Sequence, residues 1–126
     1  MSIGQIKKLF VIAALYDFIL GVIFLVAWKQ LYNDFGVTLP NHAGYVQFGA
    51  ALVAIFGIGF WFVAQNPERN RDIIKMGILL KIAYSGVVLG HYFFGLVPGV
   101  WMPFAWCDLI FLGLFVVALR SLPARA

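Results

Sequence analysis

Four long apolar runs dominate this chain and leave few folds open to it. They cover residues 9–28, 44–64, 73–94 and 101–119. A helix needs about 20 residues, at 1.5 Å each, to cross the ~30 Å hydrocarbon layer of a membrane. Closed β-barrels also span membranes, but their strands alternate apolar and polar residues, and these runs do not alternate. The runs therefore predict an all-α membrane protein, a single domain over residues 1–126 with four transmembrane helices.

The composition excludes a soluble domain of this length. Hydrophobic residues make up 63% of the 126 residues and charged residues only 11%, against roughly 45–50% and about 25% in soluble domains. The formal net charge of +4 does not indicate nucleic acid as a partner. The basic residues lie at the ends of the apolar runs and form no stripe with exposed aromatic residues. Lipid is therefore the predicted surrounding of the chain.

The positions of the basic residues also predict an orientation. The side that carries both termini holds Lys7, Lys8, Arg69, Arg71, Lys75, Arg120 and Arg125. The opposite side holds only Lys29. Because cytoplasmic loops are enriched in lysine and arginine, both termini are predicted to be cytoplasmic. Short connections between successive runs predict an antiparallel bundle. The expected location is a bacterial-type inner membrane or a plasma membrane.

Three charged residues lie deep inside the apolar runs, away from their ends: Asp17 in the first, Lys81 in the third and Asp108 in the fourth. Counted from the cytoplasmic helix ends, they lie roughly 12–17 Å deep, in one layer near the middle of the membrane. A charge there costs at least about 2.5–3.5 kcal/mol on insertion scales. We therefore predict that Lys81 faces Asp17, Asp108 or both. Tyr16 and Tyr84 are the predicted hydrogen-bond partners of this layer.

Two interpretations of the charged layer stay open at this point. Intramembrane ionisable residues are candidates for function by default, which favours a site that handles protons or a ligand. The alternative is an ion pair that fixes the register and orientation of the helices without any turnover. The residue types alone do not decide between them.

A second polar group is predicted near the outer membrane face, formed by Gln47, His91 and His42. Two histidines could hold a haem or a copper ion. Equally, His91 near a helix end and His42 in a loop could meet interfacial water. The one cysteine, Cys107, offers no CxxC-type metal spacing, so the metal stays unknown. The sequence requires no cofactor, although a bound lipid or quinone would suit the apolar spans.

Glycines within the first two runs predict close helix packing, because small residues let the backbones of membrane helices approach each other. Gly21 is the candidate in the first run. Gly49, Gly57 and Gly59 are the candidates in the second.

Four sequence features, together with the length and the number of spans, resemble small four-helix membrane proteins of the DoxX-like kind. The features are Tyr16-Asp17-Phe18, Asn66-Pro67-Glu68-Arg69-Asn70, Lys81 in the third span and Asp108-Leu109-Ile110-Phe111. The resemblance implies a link to quinone-coupled sulfur oxidation or a place in a redox complex, and it carries over no catalytic residue. The small multidrug resistance transporters also have four short spans and an acidic residue in the first. Their weak charge bias differs from the strong bias here.

Three functions fit these observations, and we rank them. First is an accessory or structural subunit of a larger membrane complex or a homo-oligomer, since the chain is small, has little extramembrane mass and shows no catalytic motif. Second is a binder or transporter of a small apolar or proton-coupled solute, such as a lipid or quinone, at the Asp17/Lys81/Asp108 layer. Third is a membrane enzyme acting on a quinone or sterol. No catalytic residue is assigned.

Overall fold

The structure, a computed structural model, describes residues 1–95 and 99–124, and these ranges are helical without a β-strand. Its helices are α1 (Ile3–Asp34), α2 (Ala43–Gln65), α3 (Arg71–Phe93) and α4 (Met102–Ser121), with a 3₁₀ turn at Gly99–Trp101 leading into α4. Four helical segments, the last including that turn, are long and apolar enough to cross a membrane. The predicted all-α fold is thus confirmed, with four helices long and apolar enough to span a membrane. Arg125, part of the charge bias, lies outside the described residues.

Helix α1 is longer than the apolar run that predicted it. A capping box starts it: the Ser2 side chain accepts a hydrogen bond from the Gln5 backbone N–H at 3.2 Å, and the Gln5 side chain accepts one from Ser2 at 2.9 Å. Its 32 residues are more than the ~30 Å hydrocarbon layer needs. At Ala27 the backbone leaves helical geometry, with φ −112° and ψ 20°. The predicted end of the span at Trp28 coincides with this kink.

Two glycines bring the backbones of α1 and α2 together. A Cβ on Gly21 would lie 2.5 Å from the Ala54 nitrogen, and a Cβ on Gly57 would lie 2.5 Å from the Phe18 nitrogen. No side chain fits at either position unless the helices move apart. The prediction of close packing is therefore confirmed for both. It is wrong for Gly49, where a Cβ would meet nothing within 4 Å, because this face of α2 borders open space.

Three phenylalanines from three helices form the centre of the buried apolar core. Phe10, Phe60 and Phe115 are fully buried. Their ring centroids are 4.5 Å apart for Phe10 and Phe115, 5.1 Å for Phe60 and Phe115, and 5.8 Å for Phe10 and Phe60. Gly77 on α3 makes room for them, since a Cβ there would lie 2.5 Å from the ring of Phe60. We call these three rings the aromatic plug.

The rest of the apolar core surrounds the plug and includes residues from all four helices. Its members include Ile6, Leu9, Ala13, Val63, Ile74, Ala118 and Leu122. Polar contacts close the end of the bundle beyond them. The Met1 ammonium donates to Ser121 Oγ at 3.2 Å, and the Arg71 guanidinium donates to the Pro123 carbonyl. The start of α1, the start of α3 and the end of α4 therefore lie together, next to the core.

Candidate functional site

Asp17, Lys81 and Asp108 meet in the interior of the bundle. The Lys81 Nζ lies 2.9 and 3.0 Å from the two carboxylate oxygens of Asp17 and 3.0 Å from Oδ1 of Asp108. Their exposed fractions are 1% for Asp17, 2% for Lys81 and 7% for Asp108. The prediction that Lys81 faces these carboxylates is confirmed, and both are engaged. This group, the charged triad, ties α1, α3 and α4 to one another.

The bonds within the charged triad are unevenly distributed. An ammonium has three N–H donors, and here two go to Asp17 and one to Asp108. Both oxygens of Asp17 are thus engaged, whereas Oδ2 of Asp108 accepts no hydrogen bond from the described part of the chain. With all three groups ionised, two carboxylates face one ammonium and the triad carries a formal charge of −1. The uncompensated charge is associated with Asp108.

Aromatic rings surround the ammonium of Lys81. Its Nζ lies 5.3, 5.7 and 5.8 Å from the ring centroids of Phe111, Tyr16 and Phe60. A ring within about 6 Å attracts a cation through its quadrupole. Since Phe60 also belongs to the aromatic plug, the charged triad lies directly against the plug. The rings therefore add to the carboxylates in stabilising the buried ammonium of Lys81.

The two tyrosines of the predicted site do not bond to the carboxylates. The Tyr84 hydroxyl donates to the carbonyl of Trp101, at a long 3.5 Å. The Tyr16 hydroxyl is buried and has no hydrogen-bond partner among the described residues. A buried hydroxyl without a partner is uncommon in folded proteins. The predicted hydrogen bonds are therefore not made, although both tyrosines lie beside the charged triad.

A cavity of about 330 Å³ lies beside the charged triad. All four helices line it, and Asp17, Lys81 and Asp108 contribute its charged groups. We refer to the triad as its floor, because the aromatic plug lies against Lys81 and closes the bundle beyond it. Tyr45 also lines the cavity and is 75% exposed, so the cavity opens to the exterior next to this residue.

One wall of the cavity is aromatic, and it comes from α1 and the start of α4. The ring centroid of Trp101 lies 5.6 Å from Phe24, 5.7 Å from Tyr32 and 6.4 Å from Phe104. Phe24 and Phe104 are a further edge-to-face pair at 6.1 Å. All four rings line the cavity. We call them the aromatic wall.

The wall formed by α2 is made of small and aliphatic residues. Val46, Gly49, Ala50 and Val53 line the cavity from this side. Because these side chains are short, space remains between α2 and the aromatic wall. Small residues on α2 and rings on α1 and α4 thus create a space with apolar walls and an ionic floor.

The predicted outer polar group is not assembled into a site. His42, Gln47 and His91 are all exposed. The ring of His42 packs against Tyr45 at 5.9 Å, and no hydrogen bond or ring contact joins His91 to the other two within residues 1–95 and 99–124. Over the same ranges no group of three His, Cys, Asp or Glu side chains could hold a metal ion. The metal therefore stays unknown.

Some residues of the site were visible in the sequence and others were not. Phe24 shares a helical face with Asp17, and Trp101 and Phe104 share one with Asp108, which is the signal for the aromatic wall. Apart from Tyr45 near its start, the α2 lining consists of small and aliphatic residues that carry no polar group to single them out. Ser85, one turn from Lys81, is buried and donates to the Ala105 carbonyl at 3.3 Å, which adds a second polar link between α3 and α4.

Comparison with known proteins returns no match: no family model, no curated protein and no solved structure matches the chain. A function for it is therefore argued from its own residues.

Proposed function

We propose that this chain is a multi-pass membrane protein that binds a small, mainly apolar molecule in the cavity above the charged triad. The observation that carries the proposal is the combination of apolar walls and an ionic floor in one open space. Small-molecule sites are typically concave and apolar, with a few placed polar groups, and have volumes of about 300–1,000 Å³. The cavity, at about 330 Å³, has room for about ten water-sized groups.

The position of the charged triad favours a ligand site over a purely structural ion pair. A buried ion pair stabilises a fold only when further hydrogen bonds satisfy its remaining donors and acceptors. Here Asp108 lines an open cavity and has one carboxylate oxygen without a hydrogen bond from the described residues. On this ground we rank binding ahead of the accessory role, which was ranked first from the sequence.

The cavity is closed below the charged triad, which supports binding of a small molecule rather than its conduction through the bundle. The aromatic plug is fully buried beneath the floor, so the cavity is not continued as a pore on that side. We infer an antiparallel bundle with both termini cytoplasmic. Support comes from the lysine and arginine bias and from the pairing of Gly21 with Ala54 and of Gly57 with Phe18. In this orientation the cavity opens towards the outer side of the membrane.

Filling the cavity should abolish binding without unfolding the protein. Gly49 lines the cavity, and a Cβ there meets nothing within 4 Å, so Gly49→Leu places a side chain in the empty space. The probe is neopentylbenzene, a neutral apolar molecule with one ring. We expect the unaltered protein in nanodiscs to bind it in isothermal titration calorimetry, after subtraction of empty nanodiscs. Gly49→Leu should weaken the affinity by about tenfold or more, since steric exclusion removes most of the contact area.

The matched control is Gly86→Leu on α3. Gly86 also has open space around its Cβ but does not line the cavity, so the same substitution leaves the site intact. Unchanged affinity in Gly86→Leu, with equal thermal stability of both variants, supports the proposal. Equal affinity in both variants would show that the probe binds elsewhere.

An accessory subunit of a larger membrane complex is the second candidate. It is favoured by the connections, since only residues 35–42 and 66–70 separate α1 from α2 and α2 from α3, and this leaves little mass outside the helices. The DoxX-like resemblance would give such a complex a redox role and the cavity a quinone. This candidate predicts that partner subunits co-purify in mild detergent and are identified by mass spectrometry. A monodisperse chain that binds the probe alone would argue against it.

A further inference from the structure

Resting on the proposed function, we propose that the molecule bound in this cavity is a lipophilic cation: an organic ammonium group at the charged triad with an apolar body between the helices. Four features of the site support this class of ligand. They are the net charge of the floor, the distribution of its hydrogen bonds, the chemistry of its walls and its size.

The charge of the floor is the first feature. Two carboxylates and one ammonium leave the ionised triad at −1, and Lys81 is the one basic residue among those that line the cavity. Helix α2 contributes Tyr45, Val46, Gly49, Ala50 and Val53 to the cavity, and none of these is positively charged. In a membrane interior an uncompensated charge is costly. A ligand with one positive charge is the simplest complement to this floor.

Hydrogen bonding at the floor is the second feature. The three donors of Lys81 are already directed at carboxylate oxygens. A ligand that only accepts hydrogen bonds, such as a quinone carbonyl, finds no free donor on the triad. The Tyr16 hydroxyl beside it has no partner among the described residues, but its oxygen is buried and not exposed to the cavity. Asp108 has an oxygen to offer, and a protonated amine can donate to it in a charge-assisted bond, which is stronger than a neutral one. A quaternary ammonium cannot donate a hydrogen bond, so at Asp108 it would gain the Coulomb attraction alone.

The third feature is the aromatic wall, which suits a cation as well as an apolar body. Phe24, Tyr32, Trp101 and Phe104 bring four rings to one side of the cavity. Tryptophan is the best partner for a cation among the aromatic residues, and rings of this kind recognise quaternary ammonium groups. Lys81 itself lies within 6 Å of three ring centroids, so this interior already accommodates one cation in this way.

Size is the fourth feature, and it suggests the probe. Room for about ten water-sized groups matches one aromatic ring with a short branched substituent. Benzyltrimethylammonium and neopentylbenzene have nearly the same shape and differ by a nitrogen cation in place of a quaternary carbon. Comparing them on the unaltered protein isolates the effect of charge. We expect the cation to bind at least about tenfold more tightly, because it gains Coulomb attraction to the triad and cation–π attraction to the aromatic wall, and its neutral isostere gains neither.

A variant locates the preference on Asp108. Asp108→Asn keeps the shape of the side chain and removes the uncompensated charge, while Lys81 keeps both of its bonds to Asp17. We expect its preference for benzyltrimethylammonium over neopentylbenzene, taken as the ratio of the two affinities, to fall by about tenfold. The control is Asp72→Asn, which removes an exposed carboxylate at the start of α3, outside the cavity. It changes the total charge by the same amount and should leave both affinities unchanged.

The results separate this inference from the proposed function. Tighter binding of the cation, lost in Asp108→Asn and kept in Asp72→Asn, supports the inference. If neopentylbenzene binds as tightly as its cationic isostere, the inference is overturned while the binding function stands. If neither probe binds the unaltered protein, the binding function itself fails. The comparison of the two probes needs no variant, so poor folding of Asp108→Asn would not prevent the decision.

Discussion

Lys81→Met is expected to lower the free energy of unfolding by about 3–5 kcal/mol, which is the usual cost of removing one partner from a buried ion pair. Methionine fills a similar volume, so packing around the aromatic plug is largely kept. The loss would come from Asp17 and Asp108, which remain buried without the ammonium that compensates their charge and donates hydrogen bonds to them. Titration of the protein from mild detergent into sodium dodecyl sulfate, followed by circular dichroism, measures the change.

Two further variants show whether charge is the cause. Lys75→Met removes a lysine of the same helix whose side chain is 57% exposed and pairs with Asp72 at 3.0 Å. Exposed pairs of this kind contribute about 0–1 kcal/mol, so this variant should be almost as stable as the parent. Adding Asp17→Asn and Asp108→Asn to Lys81→Met should restore much of the lost stability, because no buried charge is then left unpaired. Equal losses in Lys81→Met and Lys75→Met would show that the triad does not stabilise the fold.

Gly57→Ala should also destabilise the protein, by about 2–3 kcal/mol. Overpacking of a close contact typically costs about 1–3 kcal/mol, and this contact is with backbone. The new Cβ would lie 2.5 Å from the Phe18 nitrogen and 2.8 Å from its Cα, and a helix backbone cannot move aside as a flexible side chain can. The helices α1 and α2 must separate instead. The same titration in sodium dodecyl sulfate measures the effect.

Gly49→Ala on the same helix is the matched control, and its effect should have the opposite sign. Alanine is a better helix former than glycine by about 0.8–1 kcal/mol, and at Gly49 no atom lies within 4 Å to oppose it. We expect an equal or slightly higher stability. If both alanine variants shift the stability in the same direction, the close approach at Gly57 does not govern the packing of α1 on α2.

The charged triad was predictable because the membrane makes each lone charge costly. Asp17, Lys81 and Asp108 stand out as the charged residues deep within apolar runs, and their depths coincide when they are counted from the helix ends. The predicted contact is seen. The sequence did not predict how the three hydrogen bonds of Lys81 are shared between the carboxylates. Asp17 accepts two of them, one at each oxygen, and Asp108 accepts one. That division depends on how α1, α3 and α4 are placed and rotated, and residue spacing along one helix does not set this.

The cavity itself was not predictable, because empty space leaves no pattern in a sequence. Gly49 and Gly57 looked equivalent as small residues on α2. Yet one faces the backbone of α1 and the other faces the void. The kink at Ala27 is another example, since the residues around it include no proline. Both features arise from the packing of whole helices against one another.

The aromatic plug has a consequence for how a bound molecule would be exchanged. Because the plug closes the cavity on one side, a bound molecule would leave by the opening through which it entered. In the proposed orientation, with both termini cytoplasmic, the plug would lie between a bound molecule and the cytoplasmic side. Carrying cargo from one side to the other would require the rings of Phe10, Phe60 and Phe115 to part. In the conformation described here, these three rings are fully buried and in contact with one another.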